Sequence, residues 1–225
     1  MRAYIDSILF PRVCVVCGLH THADRMLCDY CIEYAFDRAN PEMSRSCPGH
    51  FPPDYIEVQD ALWKYDKKGH LQRLLMKLKY QGEKEIGLLC GRQLGRRWRY
   101  SPWYVPRIQW KIVAVPLHWW RQLQRGYNQA ELIARGFSEE TGIPVCESEA
   151  VIRHRHTKSQ TIFSQEDRRG NIKNAFHITK PEQLRDHKII IIDDVFTTGA
   201  TTYQLATQLN SIGANGIHIY TVAVA

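Results

Sequence analysis

Two periods of hydrophobic positions run along this chain, and the switches between them outline its elements. Leu71, Leu74, Leu75 and Leu78 recur at the i, i+3, i+4, i+7 spacing of one helix face, just after a turn at Asp66–Gly69. A second helix is predicted from about Lys84 to Trp98, with Pro102 and Pro106 separating it from the next strand. Upstream, Tyr55 to Tyr65 reads as a strand. Downstream, Ile108–Val115 reads as a buried strand, Asn128–Thr141 as a helix closed by Gly142 and Pro144, and Val145–Arg153 as a weaker strand. Lys158–Asn174 is polar and without period. Ile189–Ile192 is an unbroken apolar run, the mark of a strand covered on both faces. A helix over Ala200–Leu209, ending at Gly213, and a last strand over Gly216–Ala225 complete the chain. Strands alternating with helices predict an α/β fold with a largely parallel sheet.

The 225 residues suit one ordinary domain and a small appendage. Residues 1–50 are cysteine-rich and end in a Pro/Gly-rich passage, Cys47 to Pro53, that reads as a boundary. The expected organisation is a cysteine module over 1–50 and an α/β domain over 51–225. The latter divides into a basic strand–helix extension, 51–107, and a ligand-binding core, 108–225.

Charge is unevenly distributed. The net charge is +7, and the stretch from Lys64 to Arg125 alone holds fifteen Lys/Arg against three acids. All six tryptophans fall in or beside that stretch: Trp63, Trp98, Trp103, Trp110, Trp119 and Trp120. Such a surface favours anionic partners. No apolar run approaches the ~18 residues of a membrane span, and Arg2 and Asp6 interrupt any leader-like start. The expectation is a cytoplasmic protein, where structural disulfides are rare.

The seven cysteines then need another explanation. Cys14-X2-Cys17 and Cys28-X2-Cys31 are separated by ten residues, the spacing of two knuckles that close four thiolates around one tetrahedral ion. Structural Zn²⁺ suits this ligand set; an iron–sulfur cluster is the alternative. Gly18 follows the first knuckle, where a tight turn helps. His20 and His22 read as exposed loop residues, and Cys47, Cys90 and Cys146 as ordinary thiols.

The densest chemistry lies in Ile189–Thr202. Two adjacent carboxylates, Asp193 and Asp194, stand at the carboxyl end of the buried strand, where open α/β sheets bind ligands. Thr197, Thr198, Gly199, Ala200, Thr201 and Thr202 follow, small and mostly hydroxylic, and lead into a helix N-terminus. Free amides and the helix dipole make such a loop a phosphate cradle. The acids repel phosphate and suit ribose hydroxyls or Mg²⁺.

This string resembles the 5-phosphoribosyl-1-pyrophosphate (PRPP) loop of type I phosphoribosyltransferases. The resemblance implies that Asp193 and Asp194 hold the ribose hydroxyls, that residues 197–202 hold the 5-phosphate, and that Mg²⁺ accompanies PRPP. It narrows further. Val113-Ala-Val-Pro-Leu-His118 with Arg121 and Arg125-Gly-Tyr-Asn-Gln129, the stretch with Thr157, Gln160, Arg168, Asn171 and Phe176, and the leading cysteines resemble the competence-associated ComF/GntX-like branch. By that resemblance, Val115, Pro116, Leu117 and His118 form a pyrophosphate loop, with Arg121 and Arg125 supplying charge beside it. Thr157 to Arg169, including Lys158, Gln160 and Arg168, form a hood over the ligand. Tyr127 stands where that branch mostly carries Phe. Read without the resemblance, Arg121 and Arg125 are a solvated basic helix start and the hood is a surface loop.

Three functions are compatible with these residues. One is a PRPP-binding protein of natural competence that handles incoming single-stranded DNA, its basic, Trp-rich stretch tracking phosphates and stacking on bases. Trp98, Trp103, Trp119 and Trp120 lie near breaks and are the stacking candidates; Trp63 and Trp110 lie in strands and are expected in the core. The second is an active phosphoribosyltransferase of an unidentified small acceptor, for which no general base stands out. The third is an adaptor to a DNA-translocating helicase through the cysteine module.

Overall fold

In the computed structural model, the structure describes residues 13–21, 26–40, 52–104, 109–153 and 175–225. Its centre is a four-stranded, wholly parallel sheet built from β1 (Ile56–Lys64), β2 (Trp110–Ala114), β5 (Lys188–Phe196) and β6 (Ile217–Val224), in the order β1-β6-β5-β2. Two short strands, β3 (Val151–Arg153) and β4 (Phe176–Ile178), form a separate antiparallel pair.

Helices cover both sheet faces, and the side-chain alternation of the strands decides which residue meets which layer. On one face Ile190, Ile192, Tyr220 and Val222 pack with α2 (His70–Tyr80), α3 (Lys84–Arg99) and α5 (Gln129–Thr141). On the other, Ile189, Ile191, Ile217 and Ile219 pack with α6 (Ala200–Ser211), β3 and β4. The isoleucine run is therefore apolar throughout because both of its faces are covered. The leucine stripe of α2 behaves as its spacing predicts: Leu71, Leu74, Leu75 and Leu78 are all buried, at roughly 1.5–3 kcal/mol per side chain.

Helices α3 and α5 approach so closely that glycine is required at their crossing. A Cβ on Gly91 would lie 2.0 Å from the Ile133 carbonyl oxygen, and one on Gly136 would lie 2.0 Å from that of Leu88.

The cysteine segment packs against the α/β body. Phe36 lies 4.6 Å, centroid to centroid, from Trp63. The Ala39 N–H donates to the Leu62 carbonyl, and the Lys64 N–H to that of Asp37. Leu27 and Cys31 join the same apolar cluster as the α2 leucines.

Several elements differ from the sequence reading. The weak strand expected over 145–153 shrinks to β3. Val145 makes only an isolated bridge to Ile112, and Ser148–Ala150 form a 3-10 turn. The polar run Glu147–Glu149 has no apolar face to bury, so pairing cannot extend through it. A short helix α1 (Asp29–Tyr34), capped by Cys28, was not predicted, and Arg121 and Arg125 lie on a helix α4 (Trp119–Arg125), where the reading without the family resemblance puts a basic helix start. Neither has the apolar stripe that reveals a helix: α4 buries no residue. Trp98 is a further correction. It is 1% exposed, enclosed by Trp110, Phe137 and Tyr104, and cannot stack on a base.

Candidate functional site

The site forms where the sheet opens. β2 and β5 pair as far as Ala114–Ile192, and the Val115 N–H still donates to the Ile192 carbonyl at 3.0 Å. Beyond that point β5 continues along β6, with Asp193 paired to Thr221, while the chain after β2 turns away. The acids thus lie within a longer strand than predicted, just before its end at Phe196, and they face the diverging loop. The resulting cleft, of about 160 Å³, is lined by Val115, Pro116 and Leu117 on one side and Asp193 and Asp194 on the other. Lys79, Arg121, Arg125 and Arg153 close it. A smaller hollow of about 50 Å³ adjoins it at Asp193, framed by residues 195–202.

That second hollow is the turn into α6. Gly199 adopts φ +73° at the N-cap, and a Cβ there would lie 2.6 Å from the Phe196 ring and 2.8 Å from Tyr203. The N-cap Gly199 has no side chain to cap the helix; the Thr198 hydroxyl receives the Ala200 N–H at 3.4 Å, and the Thr202 hydroxyl donates to the Gly199 carbonyl at 3.1 Å. Thr197, Thr198 and Ala200 are exposed. The positive end of α6 therefore points into the hollow.

The two acids are unlike. The Asp194 carboxylate lies 2.6 Å from the Lys79 ammonium. Asp193 receives the Asp194 N–H at 2.8 Å. Burial, followed by repulsion from the Asp194 carboxylate, pushes Asp193 up to about 7. Its partial protonation near neutrality follows from two carboxylates sharing a desolvated corner.

The cationic wall is held from several elements. His118 caps α4 by accepting the Trp120 N–H, which presents Arg121 and Arg125 on that helix. Arg125 donates to Gln129 at 2.7 Å and to the Tyr80 hydroxyl at 3.2 Å; its Nε is buried and has no hydrogen-bond partner among the described residues. Asn128 caps α5 and also donates to the Val115 carbonyl at 3.1 Å, fixing the loop from behind. Arg153 lies over the Phe176 ring; burial, then repulsion from Arg121, lowers its pKa. Arg121 and Arg125 thus belong to a helix, as their plainer reading has it, and they also line the cleft.

Lys79 and Arg153 are cleft residues that the sequence reading missed; Asn128 and Gln129, also in the cleft, stand in the family-like string but had no role assigned. Lys79 and Arg153 come from elements far from the motif, so nothing local marks them. Thr157, Lys158, Gln160 and Arg168 lie outside the described residues, as do His22 and Cys47.

The second cluster is the cysteine group. The thiol sulfurs of Cys14, Cys17, Cys28 and Cys31 all lie within 4.8 Å of one another, an arrangement that can hold one metal ion. Gly18 makes the first knuckle turn at φ +75°. The Cys28 sulfur accepts the Cys31 N–H at 3.4 Å. His20 is exposed, Cys90 is buried and Cys146 is half-buried.

The basic stretch is less open than its composition implies. Along α3, Arg92 pairs with Glu139, while Arg96 and Arg99 share Glu140. Arg97 grips Asp60 with two bonds of 2.7 and 2.9 Å. These arginines bind α3 to α5 and β1. Of the expected stacking candidates, Trp103 is 45% exposed just past α3, and Trp119 and Trp120 are 38% and 58% exposed on α4 beside the exposed Leu123.

A parallel α/β sheet with paired acids and a threonine–glycine turn at the carboxyl end of its central strand defines a phosphoribosyltransferase-like protein. Comparison with known proteins gives the family. The DNA utilization protein YhgH of Escherichia coli K12 is 32% identical over 212 residues, 92% of this chain and 88% of that protein. Competence protein F of Haemophilus influenzae is 36% identical over 115 residues, spanning 51% of this chain and half of that protein. The chain belongs to this ComF/GntX-like family. No protein-family model matches it. Among solved structures, glutamine PRPP amidotransferase from B. subtilis superposes on 65% of this chain and 30% of its own, with 16% identity and a TM-score of 0.45.

Proposed function

We propose that this chain is a PRPP-binding, phosphoribosyltransferase-like protein of DNA uptake in natural competence, and that it contacts incoming single-stranded DNA. The names of its relatives speak for the process: one is a competence protein, another a DNA utilization protein. The observation that carries the ligand is the single cleft in which Asp193 and Asp194 face Val115–Leu117, with Arg121, Arg125 and Arg153 around them and the α6 turn next door. The 5-phosphate sits on the amides of 198–202, which supply donors and no anion. The ribose hydroxyls donate to the two carboxylates. The diphosphate lies along Val115–His118 against Arg121 and Arg125, which line the same cleft.

A resident Mg²⁺ fits this donor set poorly. Asp194 is occupied by Lys79 and Asp193 is partly protonated, so neither carboxylate is a free hard ligand. The four cysteines fit Zn²⁺ well: all-thiolate, closed and away from the cleft, the site is structural rather than catalytic.

Calorimetry with PRPP tests the ligand assignment. Asp194→Asn should weaken binding by roughly 1–3 kcal/mol through loss of a charge-assisted contact. Gly199→Val should abolish it, because the side chain strains a positive φ and strikes Phe196 and Tyr203. Equal affinity in all three proteins refutes the assignment.

Pentosyl transfer is the second reading, and Asp193 favours it. An acceptor attacks C1 of the ribose, the C1–oxygen bond breaks and pyrophosphate leaves against Arg121 and Arg125. A carboxyl held near 7 can take the acceptor's proton. Pyrophosphate release with candidate acceptors tests it. For an adaptor role towards a helicase, the cysteine module offers Tyr30 and Tyr34, 67% and 72% exposed.

A further inference from the structure

We propose that Lys79 is a built-in counter-ion of the acid pair, occupying the place on Asp194 that a divalent cation would take, so that the cleft binds its sugar diphosphate without a metal ion on the carboxylates. The ligand half of this proposal rests on the PRPP reading above; the ion-pair half does not.

The geometry is specific. Lys79 is the penultimate residue of α2, a helix that belongs to the extension rather than to the motif-bearing part of the chain. Its ammonium reaches Asp194 Oδ2 at 2.6 Å, with the two side chains only 21% and 17% exposed. This is no solvated surface pair. The neighbours of Lys79 fix the helix end on either side. The Leu78 carbonyl accepts the Tyr127 hydroxyl, and the Tyr80 hydroxyl accepts from Arg125. The hydroxyl that distinguishes Tyr127 from Phe thus anchors the residue before Lys79. Three successive positions of α2 are tied to the site, and Lys79 is the one that enters it.

The charge balance agrees. Among the described residues lining the cleft, Asp193 and Asp194 are the only acids, against Lys79, Arg121, Arg125 and Arg153. Asp193 also carries less than full charge near neutrality. A divalent ion on these carboxylates would need to displace an ammonium already in contact. The cleft provides enough fixed cations to meet a diphosphate without that exchange. Lys79 also orients the Asp194 carboxylate, whose second oxygen can accept from a ribose hydroxyl.

Two measurements on the full-length, zinc-loaded chain test this. In the first, Mn²⁺ alone is titrated by electron paramagnetic resonance into the wild type, Lys79→Met, Lys79→Arg and the double variant Lys79→Met/Asp194→Asn. Removing the ammonium should create a Mn²⁺ site at least about tenfold tighter than anything in the wild type. Lys79→Arg should not create it, and the double variant should lose it. In the second, PRPP binding is measured with and without Mg²⁺. Wild-type affinity should change by less than about threefold, whereas Lys79→Met should lose at least about tenfold without Mg²⁺ and recover with it. If the wild type itself requires Mg²⁺ and Lys79→Met shows no new Mn²⁺ site, the proposal is overturned. If the Mn²⁺ difference appears but PRPP binds neither protein, the PRPP reading falls and the counter-ion role of Lys79 stands.

Discussion

The guanidinium of Arg125 lies 5.0 Å from the centre of the Tyr80 ring, with Nη2 3.2 Å from the Tyr80 hydroxyl. Tyr80 ends α2 and Arg125 ends α4, so the stretch 51–107 positions a cation that the motif-bearing part of the chain uses. Tyr80→Ala should therefore weaken binding of inorganic pyrophosphate about three- to tenfold, in line with a cation–π contact of ~1 kcal/mol. Tyr80→Phe, which keeps the ring, should lose less. Calorimetry with pyrophosphate measures both, and an unchanged affinity in Tyr80→Ala would mean that Arg125 does not meet the ligand.

Asp193 gives a pH signature. Its pKa rises from 3.8 to about 7 on folding. The folded state therefore holds a proton that the unfolded state has released between those values. Stability from this group is present below about pH 4 and is lost as pH rises towards 7. The loss should be on the order of 4 kcal/mol, about three pKa units. Asp193→Asn should flatten this part of the stability profile and unfold at higher denaturant than the wild type at pH 8. Urea unfolding of both proteins from pH 4 to 8 checks it; parallel profiles would show that Asp193 is ionised throughout.

Much of this was legible in the sequence, for identifiable reasons. The isoleucine run, the leucine stripe of α2, and the helix bounded by Asn128 and Gly142 carry strong local patterns, and each element stands where the pattern puts it. The acid pair and the threonine–glycine turn were legible because their order along one strand and turn fixes their position in space. Lys79 and Arg153 were not, because long-range packing brings them to the cleft. Trp98 was misread because nearness to a break in the pattern says nothing of burial; helix α3 turns it inward against Trp110. The arginines of α3 looked free because their partners, Asp60, Glu139 and Glu140, lie about forty residues away in sequence.

That pairing narrows the proposed DNA contact from the whole basic stretch to α4, where Trp119 and Trp120 immediately precede Arg121. Trp120→Ala should reduce affinity for a labelled single-stranded oligonucleotide by roughly 1–3 kcal/mol with the salt slope retained. Arg121→Ala should lower the slope by about one. Fluorescence anisotropy across a salt series distinguishes them. Binding that ignores salt, or survives both changes, would exclude α4.

The cysteine cluster should hold zinc, about one per chain. Cys28→Ser should release it. Because the Lys64 and Ala39 amides are bonded across the junction between module and sheet, their hydrogen exchange should accelerate when the metal leaves. Elemental analysis and exchange on the same samples decide this; full zinc content in Cys28→Ser would contradict the ligand set.

A crystal structure of the chain with PRPP tests the central claim most directly. The account predicts the 5-phosphate on the backbone amides of residues 198–202, the ribose hydroxyls on Asp193 and Asp194, and the diphosphate between Val115–His118 and Arg121 and Arg125. PRPP bound elsewhere, or a cleft left empty at saturating ligand, would contradict it.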